Sequence, residues 1–151
     1  MKFTIKNLNK FLLIKLPSAY ISGVRVKSIN DKEAVATVKH RWINQNPFRS
    51  MYWATQGMAS ELATGILVMK EIAESGKKIS MLVTQQKGIF TKKATGRINF
   101  SCGDGHLIKE AIQKTIATGE GQTITMKAEG IDEQGDTVSV FEYEWSVKVK
   151  S

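Results

Sequence analysis

Between Ser50 and Met69 the chain carries one charged side chain, Glu61, and this constrains the fold more than any other feature. From about Ser50 to Ile72 the pattern has a period of 3.6, with Met58, Leu62, Gly65, Ile66, Met69 and Ile72 along one side and Gly76 after the end. A bilayer helix needs about 20 mainly apolar residues, and Thr55, Gln56, Ser60, Glu61 and Thr64 interrupt this one. The segment is therefore expected to be a protein-interior helix, and the rest of the chain must cover it.

The covering material reads as β-structure. Val24 and Val26, then Val35–Val38, alternate around the turn-forming Asn30-Asp31 and predict a hairpin. Segments 79–91 and 94–102 read as two further strands. Ile124, Met126 and Ala128 alternate with Thr123, Thr125 and Lys127 before the turn at Asp132–Gly135. Beyond it Phe141, Tyr143, Trp145, Val147 and Val149 share one face. Ile5, Leu8, Leu12 and Leu16 predict a short N-terminal helix stopped by Pro17. Asp104 is positioned to cap a second small helix closed by Gly119. The expected architecture is α+β: an antiparallel sheet of about six strands, mostly hairpin-linked, wrapped around one long central helix. Two prolines, no linker tract and no repeat predict a single domain over residues 1–151.

Charge and composition mainly exclude. Lys and Arg number 22 against 14 Asp and Glu, and the net charge of +8 attracts anions such as nucleic acid, phosphorylated cofactors or acidic lipid heads without choosing among them. One cysteine, Cys102, excludes an intrachain disulfide and a multi-cysteine zinc site and predicts a cytoplasmic setting. His40 and His106 are the only histidines, so no metal centre is expected, and no phosphate-loop motif is present. Lys2, Lys6 and Lys10 precede Phe11-Leu12-Leu13-Ile14 in the manner of a secretory signal, yet Lys15 and Pro17 cut the apolar run short, and the segment is read as part of the mature fold.

Three groups of residues bear on chemistry. Glu61 sits between Met58 and Leu62, where burial without a partner raises a carboxyl pKa into the range useful for acid–base catalysis. The same spacing also suits a glutamate that faces water or pairs with a nearby base. The stretch from Asn44 to Trp53 leads into the helix start, where free N–H groups stabilise developing negative charge. Alternatively, Asn46 or Ser50 simply caps the helix, and Tyr52 and Trp53 are core aromatics. Lys87, Lys92, Lys93 and Arg97, interleaved with Phe90, outline either a single-strand nucleic-acid platform or a solvated hairpin tip. Cys102 and His106 are close in sequence, but their spacing gives little support to thiol catalysis.

Asn46, the run Tyr52-Trp53-Ala54, the helix carrying Ala59-Ser60-Glu61, and the closing Phe141-Glu142-Tyr143-Glu144-Trp145 together resemble the hotdog fold. The resemblance is to acyl-CoA thioesterases of the phenylacetate-degradation type, and within them to a branch catalogued as a domain of unknown function. In that family an Asn is followed by His-Gly-Gly and then by a helix carboxylate. Asn46 matches the Asn, Tyr52 the His, Trp53 and Ala54 the glycines, and Glu61 the catalytic acid. The His-Gly-Gly run itself is replaced here. A polar strand residue contributed across the dimer falls near Thr84.

The resemblance implies thioester hydrolysis at a dimer interface, with Glu61 as base or nucleophile, Asn46 positioning the reacting groups and the backbone at Tyr52–Trp53 holding the thioester oxygen. Coenzyme A would enter as part of the substrate, with no separate cofactor, and Lys87, Lys92, Lys93 and Arg97 are the candidates to meet its nucleotide. A homodimer or dimer of dimers is expected. The alternative is a module that binds acyl-CoA or an acyl chain without hydrolysing it, and nucleic-acid binding is a third reading.

Overall fold

The computed structural model describes residues 1–151. Helix α1 (Ile5–Lys15) starts at Thr4, whose Oγ1 accepts the Asn7 N–H, and it turns Leu8 and Leu12 inward. Pro17 does more than stop it: the ring occupies the first position of a second short helix, α2 (Pro17–Ile21), where its missing N–H costs nothing. Strands β1 (Arg25–Ile29) and β2 (Ala34–Lys39) form the expected hairpin. Its turn is held by Asn30 Oδ1, which accepts the N–H groups of Lys32 and Glu33.

The long helix α3 (Trp53–Ser75) begins later than its apolar pattern suggests. Met51 donates its N–H to Ala94 O and pairs with Gln45 as an isolated bridge, so the chain is still extended at Tyr52. The helix ends at Gly76, whose φ of 67° is the left-handed conformation that glycine adopts without strain.

The remaining elements are β3 (Ile79–Phe90), β4 (Arg97–Cys102), α4 (Gly105–Thr118), β5 (Gln122–Ile131) and β6 (Thr137–Val149). The strands form one antiparallel sheet in the order β1-β2-β4-β5-β6-β3. This corrects the expectation of mostly hairpin links. β3 and β4 do not pair with one another. β3 crosses to the far edge against β6, while β4 lies between β2 and β5. Lys92 and Lys93 consequently lie in a crossing connection, residues 91–96, with Lys87 inside β3 and Arg97 inside β4, rather than together at a hairpin tip.

Asp104 occupies the N-cap position of α4 without capping it; its carboxylate instead accepts the Lys127 N–H at 2.8 Å, tying the helix start to β5. The concave face of the sheet closes over α3 through Phe100, Met126, Phe141, Tyr143, Trp145 and Val147, all buried. The sheet wraps on α3 in the way the hotdog resemblance implies.

One irregularity in β3 matters for the site. Its register against β6 shifts between Val83 and Gln85, leaving Thr84 as the extra residue of a bulge. Ahead of the bulge Met81 and Val83 pair with the inward-facing Val147 and Trp145. Beyond it Gln86, Gly88 and Phe90 pair with Tyr143, Phe141 and Ser139. The parity of the strand therefore reverses, and Gln86 faces α3.

Candidate active site

The buried side of α3 carries polar residues at four-residue steps, and each finds a partner on β6. Gln56 Oε1 accepts from Ser139 Oγ at 2.7 Å, Ser60 Oγ and Tyr143 Oη lie 2.7 Å apart, and Trp145 Nε1–H donates to Thr64 Oγ1 at 2.9 Å. These bonds fix the rotation of α3 about its axis. Glu61, one residue beyond Ser60, is thereby turned to the margin of the covered face.

The Glu61 carboxylate forms no hydrogen bond or salt bridge, and burial alone raises its pKa above the ordinary 4.5. It opens on two hollows. One, of about 410 Å³, is lined by Trp53, Ala54, Gly57, Met58, Gln86 and Tyr143. The other, of about 250 Å³, runs between Met58 and the α1–α2 elbow at Lys15–Ala19. Tyr143, the near neighbour, has its phenol pushed up to about 12 by desolvation, with the Glu61 charge contributing in the same direction. It stays a neutral donor.

Eight residues N-terminal to Glu61, the first turn of α3 supplies free donors. Tyr52 N–H is spent on Asn44 O at 2.8 Å, but the Trp53 and Ala54 N–H groups have no acceptor, and no side chain caps the helix. Eight residues of helix span about 12 Å, and the N-terminal lean of helical side chains brings the Glu61 carboxylate back toward these donors.

Asn46 does not reach into either hollow beside Glu61. Its amide closes the loop that delivers the helix: Oδ1 accepts from Phe48 N and Ser50 N at 2.9 and 3.2 Å, and Nδ2 donates to Ser50 Oγ at 3.0 Å. The loop borders a separate hollow of about 460 Å³ at the helix start, where the half-exposed rings of Tyr52 and Trp53 lie 5.9 Å apart. Both rings thus escape the core role their residue type allowed.

The other sequence candidates are dispersed. Thr84 is exposed on the outer face, where its hydroxyl donates to Glu144 Oε1 at 2.7 Å, so within one chain it does not meet Glu61. Lys92 is committed to the β5–β6 turn, with Nζ 2.7 Å from Asp132 Oδ2 and 2.8 Å from Asp136 Oδ2. Lys93 reaches Phe48 O at 3.4 Å and lines the hollow at the helix start together with Lys92. Lys87 pairs across from Glu142 on β6, and Arg97 donates to Thr37 Oγ1 at 3.2 Å. No single basic platform results.

Cys102 is buried, its thiol pushed up to about 12 by desolvation, which ends any case for thiol catalysis. No cluster of His, Cys, Asp and Glu with metal-holding geometry occurs. Sequence reasoning missed Gln86 and Tyr143. The signal for Gln86 was the parity change from Met81 and Val83 to Gly88 and Phe90, which a bulge between them explains.

A six-stranded antiparallel sheet wrapped on one long helix, with the helix carboxylate unpaired at a cleft, defines a protein of the hotdog fold. The chain belongs to the family described as Domain of unknown function (DUF4442), whose profile matches residues 6–147. No curated protein matches it. Among solved structures it is similar to a Pseudomonas aeruginosa protein of unknown function described as a probable thioesterase, with 19% identity, 96% of each chain covered and a TM-score of 0.82. A Chlorobaculum tepidum protein of unknown function aligns at 16% identity over 96% of this chain and 94% of that one, with a TM-score of 0.81. A Haemophilus influenzae thioesterase aligns at 13% over 99% and 93%, with a TM-score of 0.74. At these identities the likeness is one of fold.

Proposed function

We propose that this chain is a cytoplasmic acyl-CoA thioesterase in which Glu61 is the general base. The observation that carries the reading is the unpartnered, partly buried Glu61 carboxylate at a hollow also lined by Trp53 and Ala54, whose N–H groups have no acceptor. A raised pKa makes the carboxylate a better proton acceptor near neutrality. Glu61 takes a proton from water, the water oxygen bonds to the thioester carbon, and the two N–H groups hold the oxyanion. The C–S bond then breaks, and coenzyme A leaves as the thiol with the proton returned from Glu61. Direct attack by Glu61 through a mixed anhydride balances equally and uses the same groups. Asn46 acts as a positioning residue by shaping the loop ahead of α3.

β3 ends the sheet with one edge unpaired, and Leu82 and Ile89 are exposed on it. Pairing of this edge with a second copy would cover both, so the working enzyme is read as a homodimer or dimer of dimers. Light scattering at micromolar concentration tests this; a particle of 16.8 kDa would refute it.

The second reading, a module that binds acyl-CoA without hydrolysis, is favoured by Trp53, whose large half-exposed ring stands beside the N–H it presents. Thiol release from a panel of acyl-CoA thioesters separates the two. Turnover that disappears in Glu61→Gln supports hydrolysis, whereas tight binding with no thiol released by the wild type supports the binding module.

A further inference from the structure

The first thirty residues are unusual in charge. Lys2, Lys6, Lys10, Lys15, Arg25 and Lys27 precede the first acidic residue, Asp31. Helix α1 concentrates this charge. While Leu8 and Leu12 point into the core, Lys6, Lys10, Leu13 and Ile14 all lie exposed, with Leu13 50% and Ile14 65% accessible. Beside Ile14 and Lys10 runs a shallow groove of about 380 Å³, lined also by Met1, Asn7, Phe11 and Lys15. A helix with one apolar stripe needs nothing more than its own core. This one presents apolar side chains on the solvent side as well, ringed by cations.

We propose that the outer face of α1 is a docking surface for an anionic lipid bilayer. Apolar side chains flanked by lysines suit the boundary between headgroups and acyl chains, where the hydrocarbon is buried and the long lysine stems carry their ammonium groups out to the phosphates. A second copy on the same face is disfavoured by charge, because a twofold contact would set lysines against lysines with no acidic residue in the segment to answer them. Nucleic acid would meet the charge but leave Leu13 and Ile14 in water.

The placement has a consequence for the proposed reaction. Lys15 borders both the outer groove and the hollow that leads past Leu16, Pro17 and Met58 to Glu61. A docked protein therefore turns the α1–α2 elbow toward the membrane, and, granted the thioesterase reading, an acyl chain has a short path from lipid to carboxylate.

The test is co-sedimentation of the full chain with vesicles of phosphatidylcholine alone or mixed with phosphatidylglycerol. Wild type is expected to sediment with the mixed vesicles, to stay in solution with the neutral ones, and to be released as salt rises. Lys6→Gln combined with Lys10→Gln should weaken binding roughly thirtyfold, the product of two lysines near an anionic surface. Leu13→Ser with Ile14→Ser should abolish it while leaving the melting temperature unchanged, since both side chains are exposed. Equal affinity for the two vesicle types overturns the proposal, as does unchanged binding in either double variant. A fall in particle mass for the Leu13 and Ile14 variant, with no vesicle binding by wild type, would assign the face to a second copy and also overturn it. Thiol release is not read, so this result is independent of the thioesterase assignment.

Discussion

Ser60 Oγ and Tyr143 Oη lie 2.7 Å apart, and both also reach the carbonyl oxygen of Gly57, at 3.1 and 2.9 Å. The two hydroxyl protons can be shared in two ways: Tyr143 donates to Gly57 O and Ser60 to Tyr143, or Ser60 donates to Gly57 O and Tyr143 to Ser60. The contact clamps α3 to β6 at the turn that carries Glu61, with Gln56–Ser139 and Thr64–Trp145 as flanking rungs. A helix core made only of leucine could rotate against the sheet at little cost. These three pairs leave it one orientation.

Tyr143→Phe removes the phenol hydroxyl but leaves Ser60 able to donate to Gly57 O, so no buried group is orphaned. The expected cost is about 1 kcal/mol, the net worth of an ordinary hydrogen bond. Urea denaturation measures it. Ring packing against Phe141, stacked with centroids 6.1 Å apart, should persist.

Glu61 should make the folded protein lose stability as pH rises. Its folded pKa lies above the ordinary 4.5 because burial disfavours the charge, so the native state binds more protons than the unfolded state over the interval between the two values. Stability therefore falls as pH climbs through that interval, and the loss is complete above the folded pKa. Glu61→Gln removes this dependence. Melting temperatures of the two proteins should converge toward pH 4.5 and separate at neutrality, with the variant higher; a variant less stable than wild type at pH 7 would contradict the account. Turnover, if present, should fall by about 10²-fold or more.

How far the sequence discloses this arrangement depends on whether the information is local. The period of 3.6 through Met58, Leu62 and Ile66 places α3, and the alternation from Phe141 to Val149 places β6, because each pattern is written within the element. The pairing of β3 is not. Nothing in residues 79–90 says that their partner is β6 rather than the strand that follows, since that choice is made by long-range closure around α3. Lys92 likewise looks like a free cation until the β5–β6 turn brings Asp132 and Asp136 to it. Pro17 reads as a helix stop, which it is for α1, and the local rule that proline also starts helices applies as well, to α2. Of the site, Glu61 stood out as the single charge of an apolar helix, while Tyr143 and Gln86 needed the sheet.

The two lysines at the helix-start hollow should behave differently. Lys92 holds the Asp132 carboxyl below its ordinary 3.8, so that pair stabilises the fold above this value and the contribution is lost as pH falls through the lowered pKa. Lys92→Ala should therefore reduce the melting temperature at neutral pH, and the difference from wild type should shrink in acid. Lys93 has only the Phe48 carbonyl, at 3.4 Å. Lys93→Ala is expected to leave stability unchanged and to weaken binding of coenzyme A thioesters relative to an acyl-pantetheine analogue, as raised salt would. Equal effects on both ligands, measured by calorimetric titration, would remove Lys93 from the nucleotide site.

The bulge at Thr84 makes a last, sharper distinction within β3. Because the extra residue reverses strand parity, Gln86 lines the hollow with Glu61 and Tyr143, whereas Thr84 bonds Glu144 on the outer face. The Gln86 amide can donate to a water held by the Glu61 carboxylate without contributing to the fold, for it is exposed and forms no hydrogen bond to Glu61 in the free protein. Gln86→Ala should lower kcat by about tenfold, at the low end for a group that orients a reacting water, with KM for acyl-CoA little changed. Gln86→Glu should do more, since a second carboxylate beside Glu61 raises its pKa further and moves the acid limb of the pH–rate profile upward. Thr84→Ala should leave both parameters near wild type if each site is built from one chain's β3. A large loss of kcat in Thr84→Ala, with Gln86→Ala unaffected, would instead mean that the catalytic strand residue is delivered across the dimer by the partner's β3.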